Sequence, residues 1–235
     1  MSLDPRRGAL WQAMGLGPEW VRRGEPAATA DAPVDESLSA TPPFTPGPTE
    51  SRAAAIGSMH WAQLQEAVAS CTACTLCRSR TQTVFGDGNR SAPWLIVGEA
   101  PGAEEDARGE PFVGQAGRLL DNMLASIGRS RQLDAAHPVF IANVLKCRPP
   151  ANRNPLPEEV AACEPFLLRQ IELVAPQLVL VMGRFAAQTV LHTDATISAL
   201  RGRTHHLRVA DREVPAIVTY HPAYLLRNLA DKAKA

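Results

Sequence analysis

Three polar side chains stand where apolar runs end. Glu99 follows Trp94–Val97 and Gly98, Asn143 lies inside Val139–Leu145, and His221 follows Ala216–Thr219 and precedes Pro222. A carboxylate there can orient a water or support the pocket through main-chain contacts. An amide offers a donor and an acceptor on one group. An imidazole can donate to an oxygen on which negative charge develops. A second constellation is made of sulfur. Cys71-Thr72-Ala73-Cys74 is followed by Cys77, then by Cys147 and, 16 residues on, Cys163. Five is an odd count for a disulfide framework, and clustered thiols in a reducing compartment point to metal ligation. Four thiolates suit a tetrahedral zinc or an iron–sulfur cluster. The wide spacing of Cys147 and Cys163 leans toward the cluster.

Elements must carry these groups to one place. Trp94–Val97, Val139–Leu145, Leu178–Met182 and Ala216–Thr219 are short, continuous apolar runs, which read as strands buried on both faces. Between them lie helical patterns at Met59–Ser70, Ala116–Gly128, Pro157–Val174 (kinked or split at Pro165) and Phe185–Leu191. Alternation of this kind gives an α/β fold, with a mainly parallel sheet covered on both faces. In such sheets ligands bind beyond the carboxyl ends of the strands. Glu99, Asn143 and His221 all fall there.

Residues 1–57 hold eight of the 20 prolines and the run TPPFTPGPTESRAAA. They read as a disordered tail, apart from a short amphipathic helix at Gly8–Arg23, and the folded domain is expected over 58–235. Lys+Arg and Asp+Glu number 24 each among 235 residues, so no global basic field marks a polyanion binder. No apolar run approaches the ~20 residues of a membrane span. The expectation is a cytoplasmic monomer with no membrane partner. The acidic run Glu104-Glu105-Asp106 reads as a solvated helix face.

The segments CTAC, LIVGEAPG, EPFVGQAGRLL, NVLKCRPPANRNP and HPAYLLRN, in this order between Cys71 and Asn228, resemble the type-4 (family 4) uracil-DNA glycosylases. That resemblance implies a three-layer α/β/α sandwich with a 4Fe–4S cluster that excises uracil from DNA. Cys71, Cys74, Cys147 and Cys163 match the cluster ligands, and Cys77 matches none. Gly98, Glu99 and Ala100 fall in the first active-site motif, with Ala100 where the family often has glycine. Phe112 matches the aromatic that stacks on the extruded base, Asn143 the amide that reads its edge, and His221 opens the second motif. Two alternatives remain. One is a related superfamily glycosylase with another deaminated-base preference; the other is a non-catalytic DNA-binding or polymerase-associated module.

The implied chemistry asks for what these residues offer. The base leaves as an anion, and His221 can donate to uracil O2. Asn143 can pair with the adjacent N3–H and O4, where cytosine presents the reverse pattern. Contact with DNA, single- or double-stranded, must come from local charge. From Pro111 onward there are 15 Lys+Arg against 10 Asp+Glu. Lys146, Arg148, Arg153, Arg201, Arg203 and Arg227 are the expected phosphate contacts. In HPAYLLR, Tyr224 with Leu225 or Leu226 is a candidate wedge into the duplex.

Overall fold

The computed structural model describes residues 49–235. A six-stranded sheet has the order β1-β3-β2-β4-β6-β5. Its middle consists of β2 (Trp94–Gly98), β3 (Val139–Asn143), β4 (Leu178–Met182) and β6 (Arg212–Thr219), all mutually parallel. The edges are antiparallel: β1 (Asp87–Gly88) on β3, and β5 (Thr204–Val209) on β6.

Helices cover both faces. Strand side chains alternate, so Leu95 and Val97 face one way and Ile96 the other. On the first face they join Phe140, Ala142, Val179 and Val181. These meet Leu64 and Val68 of α2 (Trp61–Ala69), Phe166, Leu167 and Ile171 of α5 (Pro157–Val174), and Ala186 and Val190 of α6 (Arg184–Val190). On the second face Ile96, Val139, Ile141 and Met182 meet Leu120 and Leu124 of α4 (Gln115–Ser126) and the ring of Phe112. This is the three-layer arrangement that the apolar runs call for. Helix α5 runs unbroken through Pro165.

Two features depart from the sequence reading. Helix α1 (Thr49–Gly57) lies inside the stretch assigned to the tail. Ile56 is buried in the main core, and the Arg52 guanidinium donates to the Ala162 carbonyl at 2.6 Å and lies over the Phe166 ring. The folded body therefore begins before residue 58. The amphipathic stretch Gly8–Arg23 falls outside the described residues. The β5–β6 hairpin was also unforeseen. Its turn carries Ala210 at φ 50°, a conformation that glycine or asparagine usually advertises.

Register delivers the site. Gly98 pairs with Asn143 across β2 and β3, and Met182 pairs with Thr219 across β4 and β6. Beyond those ends lie Glu99, Gly183 and His221. The last of these caps α8 (Pro222–Arg227). Two short helices, α3 (Ala103–Arg108) and α7 (Ile197–Leu200), flank the same edge. Among the described residues no helix is long and apolar enough to cross a membrane.

Candidate active site and cysteine cavity

A large cleft opens at the carboxyl edge of the sheet. Glu99, Ala100, Phe112, Asn143, Arg153, His221 and Arg227 all contribute to its walls. The structure thus brings together most of the residues singled out from sequence. Asn143 ends β3 and is 2% exposed, and its Oδ1 has no hydrogen-bond partner among the described residues. A buried carbonyl oxygen left in this state costs about 1–3 kcal/mol unless a ligand donates to it.

The space in front of that oxygen is bounded by Gly98. A Cβ on Gly98 would collide with Asn143 Oδ1 and come within 2.7 Å of the Phe112 ring. Glycine lets the Asn143 amide and the Phe112 ring pack directly against the strand end, and any side chain there would displace both. Gly98→Ala is therefore expected to slow single-turnover catalysis by at least about tenfold, since a small misplacement of a reacting group is costly. Affinity for the product complex should change far less, and rapid-quench kinetics beside a binding titration separates the two.

Phe112 is held on a strained loop. Its φ is 55°, in the left-handed region that a bulky residue rarely visits. The strain persists because neighbours hold it. Arg131 donates to the Pro111 carbonyl at 2.8 Å and to the Phe112 carbonyl at 3.2 Å. Gly117 lets helix α4 approach, because a Cβ there would strike the Phe112 carbonyl. Glu105 reaches across from α3: one carboxylate oxygen accepts from Val113 N and Gly114 N, the other from Gly102 N. Asp106, buried, accepts from Thr81 N. The acidic run is not a solvated face; two of its three carboxylates knit the site's loops.

His221 caps α8 by accepting from Ala223 N through Nδ1 at 3.2 Å. Burial pulls its pKa down to about 4, with the positive charge of Arg227 adding to the effect. At neutral pH the ring is uncharged. With Nδ1 accepting, its single proton sits on Nε2, so the ring is a donor. Its ring centroid lies 5.4 Å from that of Phe112, the two planes inclined by 30°. Burial raises the pKa of Glu99, and the charge of Arg184 opposes this.

The basic residues divide. Lys146 is not a phosphate contact: it is 1% exposed, and its Nζ donates to the Asn143 carbonyl and to Gln170 Oε1. Arg153 lines the cleft, but two guanidinium nitrogens are engaged by Glu159 at 2.9 and 2.6 Å. Arg148 donates to Asn152 Oδ1. These two hold the loop after Cys147 more than they offer free charge. Arg203 and Arg227 are exposed. Arg201 lies 4.3 Å over the Tyr220 ring, which stacks on Tyr224. Of the wedge candidates Leu225 is buried, Tyr224 is tied to Asp231, and Leu226 is exposed. Sequence reasoning missed Arg184, Phe185, Asn152 and Tyr220 on the cleft wall. For Arg184 and Phe185 the signal was present, since they follow the third parallel strand.

A second, smaller cavity lies on the other side of the Lys146 segment. Cys71, Cys74, Cys77, Cys147 and Cys163 all line it, with Arg80 and Lys146. Cys77, set apart by the sequence reading, shares the wall. Arg80 donates to Cys147 Sγ at 3.2 Å, Lys146 N to Cys163 Sγ at 3.2 Å, and Arg52 to Cys71 Sγ at 3.7 Å. Burial pushes the Cys163 thiol up to about 12 and raises Cys74 and Cys147. Among the described residues no three His, Cys, Asp or Glu side chains form a group that could hold a single metal ion.

Residues 85–235 match the family model described as the uracil DNA glycosylase superfamily. The type-4 uracil-DNA glycosylase of Archaeoglobus fulgidus is 46% identical over 163 residues, covering 68% of this chain and 79% of that one. The type-4 uracil-DNA glycosylase of Thermotoga maritima is 42% identical over 172 residues, 73% and 85% of the two chains. A type-5 uracil-DNA glycosylase of Pyrobaculum aerophilum is more distant, at 32% over 150 residues, 59% and 64%. With the family model covering well over half of its length and the type-4 relatives spanning two thirds or more of it, this chain belongs to the uracil DNA glycosylase superfamily, among its type-4 members.

Proposed function

We propose that the protein is a DNA repair glycosylase that hydrolyses the bond between uracil and deoxyribose, releasing free uracil and leaving an abasic site. The observation that carries this reading is the unpartnered Oδ1 of Asn143, buried in the cleft wall where Gly98 lets the amide pack beside the Phe112 ring. Uracil N3–H supplies the missing donor, and the amide NH2 of Asn143 donates to O4. Cytosine places acceptor against acceptor at N3 and donor against donor at its amino group. Phe112 offers the apolar ring that replaces the stacking an extruded base loses.

When the N1–C1′ bond breaks, its electron pair leaves with the base, and charge gathers on O2. The neutral His221 donates its Nε2 proton in a hydrogen bond there. A neutral donor suits this task, because it stabilises the anion without needing a charge buried in the resting site. Glu99 faces the cationic sugar and holds the water that adds to C1′. Hydroxide joins the sugar and the remaining proton ends on the base. Arg201, Arg203 and Arg227, with exposed Leu226, form the rim against the DNA backbone.

The cysteine cavity fits a 4Fe–4S cluster. A lone tetrahedral ion needs its donors about 2.3 Å from one point, whereas these sulfurs are spread round a cavity. Arg80 and Lys146 supply positive charge for the thiolates. Cys71, Cys74, Cys147 and Cys163 would hold the cluster, which, when bound, supplies four covalent ties between the α2 end, the Asn143 loop and helix α5. Purified protein should be brown, with about four irons per chain by colorimetric assay. Colourless protein with one zinc would overturn the assignment. Excision is tested with an oligonucleotide bearing one uracil: alkali-labile cleavage at that position is expected, and an intact strand at high enzyme would refute the activity.

A further inference from the structure

In the chain, Lys146 lies between Asn143 of the cleft and Cys147 of the cysteine cavity, and its charge near the thiols does not account for where its ammonium points. Lys146 is 1% exposed, and its ammonium makes two hydrogen bonds. Its Nζ donates to the Asn143 carbonyl at 2.7 Å and to Gln170 Oε1 at 2.6 Å. Its peptide N–H points at Cys163 Sγ, and its carbonyl accepts from Val84 N at 2.8 Å. Gln170 is itself fully buried and donates to the Phe85 carbonyl at 2.9 Å. Cys163 and Gln170 lie seven residues apart on α5, two turns along one face.

A buried ammonium is expensive, and an apolar side chain of similar volume would fill the space at lower cost. What the ammonium achieves and methionine cannot is a fixed tie on the Asn143 carbonyl. Strand β3 ends at that residue, and the next main-chain groups, Val144 N and Leu145 N, still donate to the Gly98 and Glu99 carbonyls. We propose that Lys146 is a positioning residue for base recognition: its ammonium locks the Asn143 main chain to helix α5, so that the amide meets the uracil edge in one orientation. The inference rests on the reading of Asn143 given above.

The test is a double-mutant cycle on the iron-loaded full chain. Lys146→Met should slow single-turnover excision at saturating enzyme by about 10–100-fold, the cost of a small misplacement of a recognition group. Affinity for abasic-site DNA should stay within about twofold, because product has no base to read. Placed on an Asn143→Ala background, the same substitution should cost less than about twofold more, since the two residues act through one contact. Should Lys146→Met alone fail to fold, Lys146→Met/Gln170→Leu replaces both members of the buried pair with apolar groups and is read in the same cycle. Equal losses on both backgrounds, with iron or melting temperature falling in parallel, would mean that Lys146 serves only the fold, and would overturn the proposal. So would an unchanged rate in Lys146→Met beside a slow Asn143→Ala. A wild-type rate in Asn143→Ala overturns the base-reading assignment itself, and this inference with it.

Discussion

His221→Ala should lower the single-turnover rate of uracil excision by about 10²–10³-fold, the usual loss when one donor to a developing oxyanion is removed. The substitution also removes the cap of α8, because Nδ1 accepts from Ala223 N. That second effect is separable. Asparagine is a good N-cap and lacks the distal ring donor. His221→Asn should therefore recover the melting temperature lost in His221→Ala and stay as slow. Affinity for abasic-site DNA should be nearly unchanged in both, since the basic rim is untouched. Full activity in His221→Ala would move the electrostatic work to Glu99 or to the DNA.

The same residue gives a pH signature. In the folded chain its pKa is pulled from 6.5 to about 4 by burial. The unfolded chain therefore takes up the proton first as pH falls. Stability from keeping the ring neutral is complete above pH 6.5 and is lost as pH drops toward 4. The full difference is about 3 kcal/mol at most. Excision should be flat in its dependence on His221 from neutral pH down to about 5. It should fall as pH nears 4, because a protonated Nδ1 can no longer accept from Ala223 N. His221→Asn should lose this part of the acid destabilisation.

How much of this could be read from sequence follows from the range of the interactions. The parallel strands and their ligand edge were legible because continuous apolar runs ending in Gly98, Asn143 and Gly183 suit strands buried on both faces and suit exposed or half-exposed elements poorly. Glu99, Asn143 and His221 converge because parallel register converts position along a strand into position along an edge. Charge was the poorest guide. Lys146 looked like a phosphate contact, yet two long-range partners bury it, Gln170 on α5 and the thiol wall of the cysteine cavity. Glu105 and Asp106 looked solvated, yet each accepts main-chain N–H groups from loops that are not its own. Helix α1 was missed for a similar reason. Its Ala-rich sequence has weak patterning, and it is fixed by Arg52 reaching a carbonyl 110 residues away. Local periodicity reports which face is apolar; it does not report a single buried polar contact made across the fold.

Asn143→Asp tests specificity more sharply than any truncation. The amide presents an acceptor to uracil N3–H and a donor to O4. A carboxylate there has no donor for O4, and an anion 2% exposed beside the leaving base would oppose the charge developing on it. Burial raises a carboxyl pKa, so the acid form of the new side chain gains ground as pH falls. A neutral carboxylic acid offers one donor and one acceptor, and it can present the donor to cytosine N3 and the acceptor to the cytosine amino group. The ionised side chain should slow uracil excision by about 10³-fold or more, the scale on which a site built for one hydrogen-bond pattern rejects another. The acid form, whose O–H can also meet O4, should recover part of that rate at low pH. Slow release of cytosine from a cytosine-containing strand should appear, strongest at low pH where the acid form prevails. The Lys146 tie to the main chain stays in place, so the backbone at residue 143 should not move, and the iron content should match the parent protein. Loss of uracil excision with no cytosine release at any pH would still fit recognition by the amide. Undiminished uracil excision would not, and the orphaned oxygen on the cleft floor would then need another ligand.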